Sequence, residues 1–276
     1  MGQKNVKILV CCHKHDIVAT NPPYLPIHAG KALHPDLDLG MVGDNTGDNI
    51  SAKNGDYCEL TALYWAWKNL SDANVVGLCH YRRYFDFHRQ CRAANCSTTF
   101  PTKDFGRLDL SVPDKTVESL QPGQAIVARG KYYRYPMWAF FCCNFGPDIA
   151  RSLKTAVDNL SPEYSDAFRH VMYMSDRMSP FNMFIMTRDD FSAYCSWMFG
   201  VLDEVSKSNL NYPRIHGFLG EYLLNVWLRA NKIKRIEKPV IWFTDVPYDG
   251  FASEHPLMAL QRNVRWWLAT KLISLR

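Results

Sequence analysis

The chain has 276 residues, which suits one large α/β domain with a small extension better than two full domains. Hydrophobic residues make up 47% and charged residues 21%, which excludes a disordered or collagen-like chain. A net charge of +5 is too mild to argue for nucleic acid, and the nine cysteines, odd in number and without a C-x-x-C pair, read as free thiols in a reducing compartment.

Residues 6–12 form a short apolar run and read as a buried first strand, ending in the polar cluster His13-Lys14-His15-Asp16. Residues 21–56 show little periodicity and are too long for an idle loop in a compact domain. A helix is expected over 57–70, followed by a β-branched strand over 74–78 that delivers His80-Tyr81-Arg82-Arg83 at its carboxyl end. Further along, 117–120 begins a short helix and 124–128 reads as a strand. The span 148–159 reads as an amphipathic helix and 181–186 as a strand. Helices are expected over 191–205 and 218–231, and a last strand over 240–243. Strands alternate with helices, so the class is α/β, with ligands expected outside the carboxyl ends of the strands.

Two adjacent arginines are often only a solvated pair. Here they follow a buried strand and alternate with aromatic rings, a setting in which guanidinium forks suit phosphate oxygens. Ahead of the 57–70 helix, Asp48, Asn49, Lys53 and Asn54 crowd polar side chains beyond what capping needs, and a helix N-terminus favours anions. Asp36-Leu37-Asp38 is a D-x-D triplet, but it lies in a loop and reads as chance. The strand end that should carry such carboxylates carries His80 to Arg83, so cationic side chains are expected to replace a metal, with manganese or magnesium left open. Glu221 reads either as a favourable dipole interaction in the first turn of its helix or as a general base facing a cleft. The residues alone leave both open.

The segments TGDNISAKNGDYCELTALYWAWKN, GLCHYRRYF, NMFIM, YCSWMF and GFLGEYLLNVWL resemble a bacterial capsular and exopolysaccharide biosynthesis family, first catalogued as a domain of unknown function and now grouped with glycosyltransferases. The resemblance spans about residues 6–227. It implies a GT-A-like open sheet with helices on both faces over residues 1–254, a nucleotide-sugar donor, a polyprenyl-linked glycan acceptor, and for some members galactofuranose transfer. On matching positions it implies site roles for His13, Lys14, the segment 48–54, Glu59, His80, Tyr81, Arg82, Arg83, Asn182 and Glu221. One departure is Tyr135-Pro136-Met137-Trp138-Ala139-Phe140-Phe141, which stands where relatives show a histidine-rich stretch and bears on the acceptor.

The expected activity is therefore transfer of a sugar from a UDP-sugar to a lipid-linked glycan, with inversion. Glu221 would serve as base and Arg82 with Arg83 as leaving-group stabilisers. The rivals are a nucleotide-sugar hydrolase and a non-catalytic glycan-binding module. No run of 18 apolar residues occurs and no signal peptide is recognised, so the expected location is cytoplasmic. Residues 255–276 place Leu257, Leu260, Val264, Leu268, Leu272 and Leu275 on one helical face beside Arg262, Arg265, Lys271, Arg276 and two tryptophans. That pattern reads as a basic amphipathic helix lying on an anionic membrane at the inner face of the plasma membrane.

Overall fold

The structure is a computed structural model and describes residues 4–92, 95–208, 212–246 and 264. Strand β1 (Val6–Cys12) is apolar on both sides: Ile8, Val10 and Cys12 enter one core, Leu9 and Cys11 the other. A strand buried on both faces needs a continuous apolar run rather than an alternating one. It is followed by β2 (Tyr24–His28), β3 (Val42–Gly43), α1 (Asn54–Tyr57), α2 (Leu60–Asn69), β4 (Val75–His80), β5 (Arg83–Phe85) and β6 (Ser97–Phe100). Next come α3 (Asp114–Glu118), β7 (Gln124–Ala128), β8 (Lys131–Tyr132), α4 (Met137–Phe145), α5 (Pro147–Leu160), α6 (Ser165–Arg169) and β9 (Arg177–Met178). The chain continues through β10 (Phe184–Thr187), α7 (Arg188–Ser206), α8 (Ile215–Ala230), β11 (Lys234–Lys238) and β12 (Val240–Phe243).

The main sheet runs β11-β7-β10-β4-β1-β2-β3. Strand β10 is antiparallel to both neighbours, and the other pairs on that path are parallel. Strand β5 turns back from β4 through the His80–Arg83 pair and carries β12, which in turn pairs with β6. This order sets the carboxyl ends of β1 and β4 side by side, with Cys11 opposite His80.

Alternation along the strands decides what packs on each face. Leu9, Val76, Leu78, Val127, Phe184 and Met186 join the larger core with α2, α4, α5, α7 and α8. Ile8, Val10, Val75, Ile126 and Ile185 join the smaller core with α3 and the β5–β12–β6 layer. Helices thus lie on both faces, though one face carries most of them. The nine cysteines are unpaired, as their spacing predicts.

Several expected boundaries shift, each for a local reason. The single helix over 57–70 is two helices, because Cys58 takes φ 50° and breaks the run. The strand over 181–186 begins only at Phe184, since Phe181 and Asn182 take left-handed φ values of 72° and 52°. Helix α8 starts at Ile215 rather than 218, so Glu221 sits in its second turn and is not a first-turn dipole partner. Residues 21–56 contain β2 and β3. The amphipathic helix expected over 255–276 lies outside the described residues, residue 264 apart. Among the described residues, no helix is long and apolar enough to cross a membrane.

A candidate active site at the carboxyl ends of the central strands

The site is organised around the turn that precedes β10. Left-handed backbone costs a non-glycine residue roughly 1–2 kcal/mol, and two consecutive residues adopt it here. The geometry makes the Phe181 backbone face two ways: its carbonyl accepts a hydrogen bond from His80 Nε2 at 2.6 Å, and its N–H donates to the Glu221 carboxylate. A carbonyl can only accept, so the His80 proton sits on Nε2 and Nδ1 is left as an acceptor. Burial pushes the His80 pKa down, against the opposing charge of Glu59, which agrees with a neutral ring. Asn182, fully buried, donates from Nδ2 to Glu59 Oε1 at 3.5 Å and accepts from the Tyr194 hydroxyl at 3.4 Å.

Glu59, at the start of α2, and Glu221, on α8, therefore meet across this turn. Burial pushes the Glu221 pKa up to about 7, and the charge of Glu59 adds to the rise. Arg83, the Phe181 N–H and Lys131 pull it partway back. The Arg83 guanidinium is held between the Phe181 ring at 4.8 Å and the Trp242 ring at 4.5 Å.

A cationic cluster reaches this pair through Arg214, whose charge interacts with Glu59. His13 packs edge-on against Tyr81, with ring centroids 5.2 Å apart, and Lys14 Nζ and the Arg82 guanidinium lie 5.8 and 5.4 Å from the same ring. Arg82 also pairs with Asp16 at 2.9 Å. The His13 pKa is pushed down by burial and then by the charges of Lys14, Arg214 and Arg82, so positive potential concentrates there. Arg214 is the residue of this cluster that sequence reasoning missed. It stands in a left-handed conformation (φ 63°) just before α8 and donates from Nε to Cys58 Sγ at 3.2 Å. Its only signal in the sequence was its place in the Gly-containing lead-in to Glu221.

The expected residues separate into those this site unites and those it does not. His13, Lys14, Glu59, His80, Tyr81, Arg82, Arg83, Asn182 and Glu221 come together. The two arginines rest on different partners: Arg82 on Tyr81 and Asp16, and Arg83 between Phe181 and Trp242. Asp48 accepts from Tyr64 and its backbone bonds to Asn69, at the far end of α2, about 15 Å from Glu59 at 1.5 Å per residue. Asn49 bonds within its own loop, and Asn54 donates to the Cys58 carbonyl and to Thr61, bracing the break between α1 and α2.

Lys53 lines a separate cavity of about 630 Å³ with Tyr57, Ser206 and His216. There His216 bridges Asp56 (Nδ1, 2.5 Å) and Ser206 (Nε2, 2.8 Å) and stacks on Tyr57. That order of groups matches a nucleophile relay. However, the Ser206 hydroxyl donates to the Leu202 carbonyl at a helix carboxyl end, where backbone carbonyls oppose a developing oxyanion. The set reads as a clamp between α1, α7 and α8. Among the described residues, no three His, Cys, Asp or Glu side chains gather as a metal cluster.

Residues 7–232 match the family described as Domain of unknown function (DUF4422). The solved apo structure of WbbM, described as a bifunctional glycosyltransferase, is similar to this chain at 27% identity and a TM-score of 0.75. The match covers 91% of this chain and 48% of that one, so the chain spans about half the length of that protein. No curated protein matches. The likeness gives the architecture its class, an α/β domain of GT-A-like fold with a mostly parallel central sheet.

Proposed function

The chain belongs to the DUF4422 family, and from that premise we propose that it is a glycosyltransferase moving a hexose from a UDP-sugar to a lipid-linked glycan in surface polysaccharide synthesis. The similarity to WbbM supports sugar transfer in general. The observation that carries the reading here is a cationic cluster of His13, Lys14, Arg82 and Arg214 that meets Glu59 through Arg214, with Glu59 in turn adding to the burial that raises the Glu221 pKa to about 7. A diphosphate leaving group needs the first, and deprotonation of an acceptor hydroxyl needs the second.

In the proposed reaction the acceptor oxygen bonds to the anomeric carbon as the bond from that carbon to the diphosphate breaks on the opposite face, giving inversion. The hydroxyl proton passes to Glu221, and the departing diphosphate is stabilised by Arg82, Arg214, Lys14 and His13. Arg83 and Glu59 set the proton affinity of Glu221 from opposite directions. The hexose is galactofuranose or galactose, the reading the family resemblance supports. The enzyme acts at the inner face of the plasma membrane, and a divalent cation is not strictly required.

Titration of UDP into wild type and Arg214→Ala tests the donor half. Losing one charge-assisted contact to phosphate should weaken binding roughly ten- to a hundredfold, and unchanged affinity would sink the assignment. Product analysis with and without a glycan acceptor tests the transfer half, because a hydrolase releases free sugar at the same rate in both.

A further inference from the structure

Away from the strand ends, a groove of about 620 Å³ runs along the outer edge of the sheet, between β11, the carboxyl-terminal half of α8 and the helical turns around His170. Four cationic side chains line it, Arg177, Arg229, Lys232 and Arg235, against two acids, Glu163 and Asp166. Asp166 is already paired with Arg169 at 2.9 Å, and Arg177 donates from Nη2 to Glu237 at 2.5 Å while its guanidinium lies over the Tyr132 ring at 5.4 Å. The Arg177 Nε is buried without a hydrogen-bond partner. A buried N–H left this way is costly unless something accepts from it. The His170 pKa is pushed down by burial and then by Arg229, Arg169 and Arg235, so the cations there act in concert.

We propose that this groove is a second anion site, taking a diphosphate ester that belongs to the carrier of the acceptor. Guanidinium forks bind phosphoryl oxygens two at a time, and the two charges of a diphosphate diester match the surplus of cations over acids. The groove has the size of a small-ligand site. It also lies along the helix that carries Glu221: residues 221, 225 and 229 follow one another at four-residue steps on one face of α8, Lys232 sits in the turn just beyond it, and Arg229 stands about 12 Å along the axis from Glu221. A short glycan bridges that span. The anion site stands on the groove itself, and the assignment to an acceptor rests on the transferase reading above.

The test is a titration of the full chain with inorganic pyrophosphate at constant ionic strength, read by calorimetry and from the His170 ring signal in NMR, which His170→Gln identifies. The expected result is saturable binding that raises the His170 pKa, weakened about tenfold in each of the surface variants Arg229→Gln and Lys232→Gln, with UDP affinity unchanged. An unmoved His170 signal, or equal affinity in both variants, overturns the site. A separate UDP titration tells that failure from a failure of the transferase reading. Vesicles carrying a polyprenyl diphosphate should compete with pyrophosphate, while vesicles of phosphatidylcholine alone should not. Absence of competition would overturn the carrier assignment and leave a site for free anions.

Discussion

As the proposed base, Glu221 carries an opposed pair of demands. A base must lose its proton near working pH, yet burial and Glu59 hold the proton on up to about 7. Turnover should therefore rise with pH along a limb centred near 7, and Glu221→Gln should lower turnover by about 10²–10⁴ while leaving UDP binding intact. A variant that keeps wild-type turnover would remove Glu221 from the mechanism. The same shift has a stability sign. The folded carboxyl holds its proton between the ordinary carboxyl range and about pH 7, where the unfolded one has lost it, so wild-type stability falls as pH rises through that window. At 1.36 kcal/mol per pH unit the loss is about 3 kcal/mol. Glu221→Gln should thus melt higher than wild type at pH 8 and lose that advantage at pH 4, which thermal unfolding at the two pH values checks. Arg83 opposes the rise, so Arg83→Gln should move the limb to higher pH. A limb that stays in place would mean that Arg83 does not tune Glu221.

Among the elements, α8 and the turn before β10 do most of the positioning. A Cβ at Gly217 would lie 2.9 Å from Cys58 Sγ, and one at Gly220 would lie 3.1 Å from Leu60, so α8 approaches the start of α2 as closely as glycine allows. Gly217→Ala should push Arg214 and Glu221 off their partners and reduce turnover more than it reduces stability. Activity assays beside chemical unfolding read both, and an equal loss would make the contact merely structural. Asn182→Ala should cost about 1–3 kcal/mol in chemical unfolding, because it strips Glu59 of a buried donor, whereas the Tyr194 hydroxyl keeps the Gly220 carbonyl.

These two elements also mark how far the residues could be read without coordinates. Strands with continuous apolar runs, such as β1, β7 and β12, were legible because burial on both faces writes itself into composition. The highly charged β11 was not, since an edge strand of sequence KRIEK has no apolar run to show. The His80 to Arg83 cluster was legible from its place after a strand. The turn at Phe181 was hidden, because its left-handed backbone is imposed by tertiary contacts that local propensity contradicts. Arg214 was hidden for a similar reason: it reaches Cys58 from 156 residues away.

At the scale of the whole molecule, the proposal that cations replace a metal predicts that exhaustive chelation leaves turnover in place. Complete loss restored by manganese would overturn that proposal and make Glu59 and Glu221 the carboxylates to test as its ligands. Removal of residues 255–276 should abolish sedimentation with anionic vesicles while leaving UDP binding unchanged, and retained sedimentation would place membrane contact elsewhere. The sheet order carries a further consequence, for the birth of the protein rather than its chemistry. Strand β10 fills the slot between β4 and β7, yet it is synthesised after both. While residues 129–183 emerge from the ribosome, β4 and β7 each present an unpaired apolar edge that nothing yet made can cover. Exposed strand edges of this kind invite pairing with other chains. Nascent chains arrested in that interval should therefore depend on chaperones for solubility, and those extended past β11 should be released from that dependence.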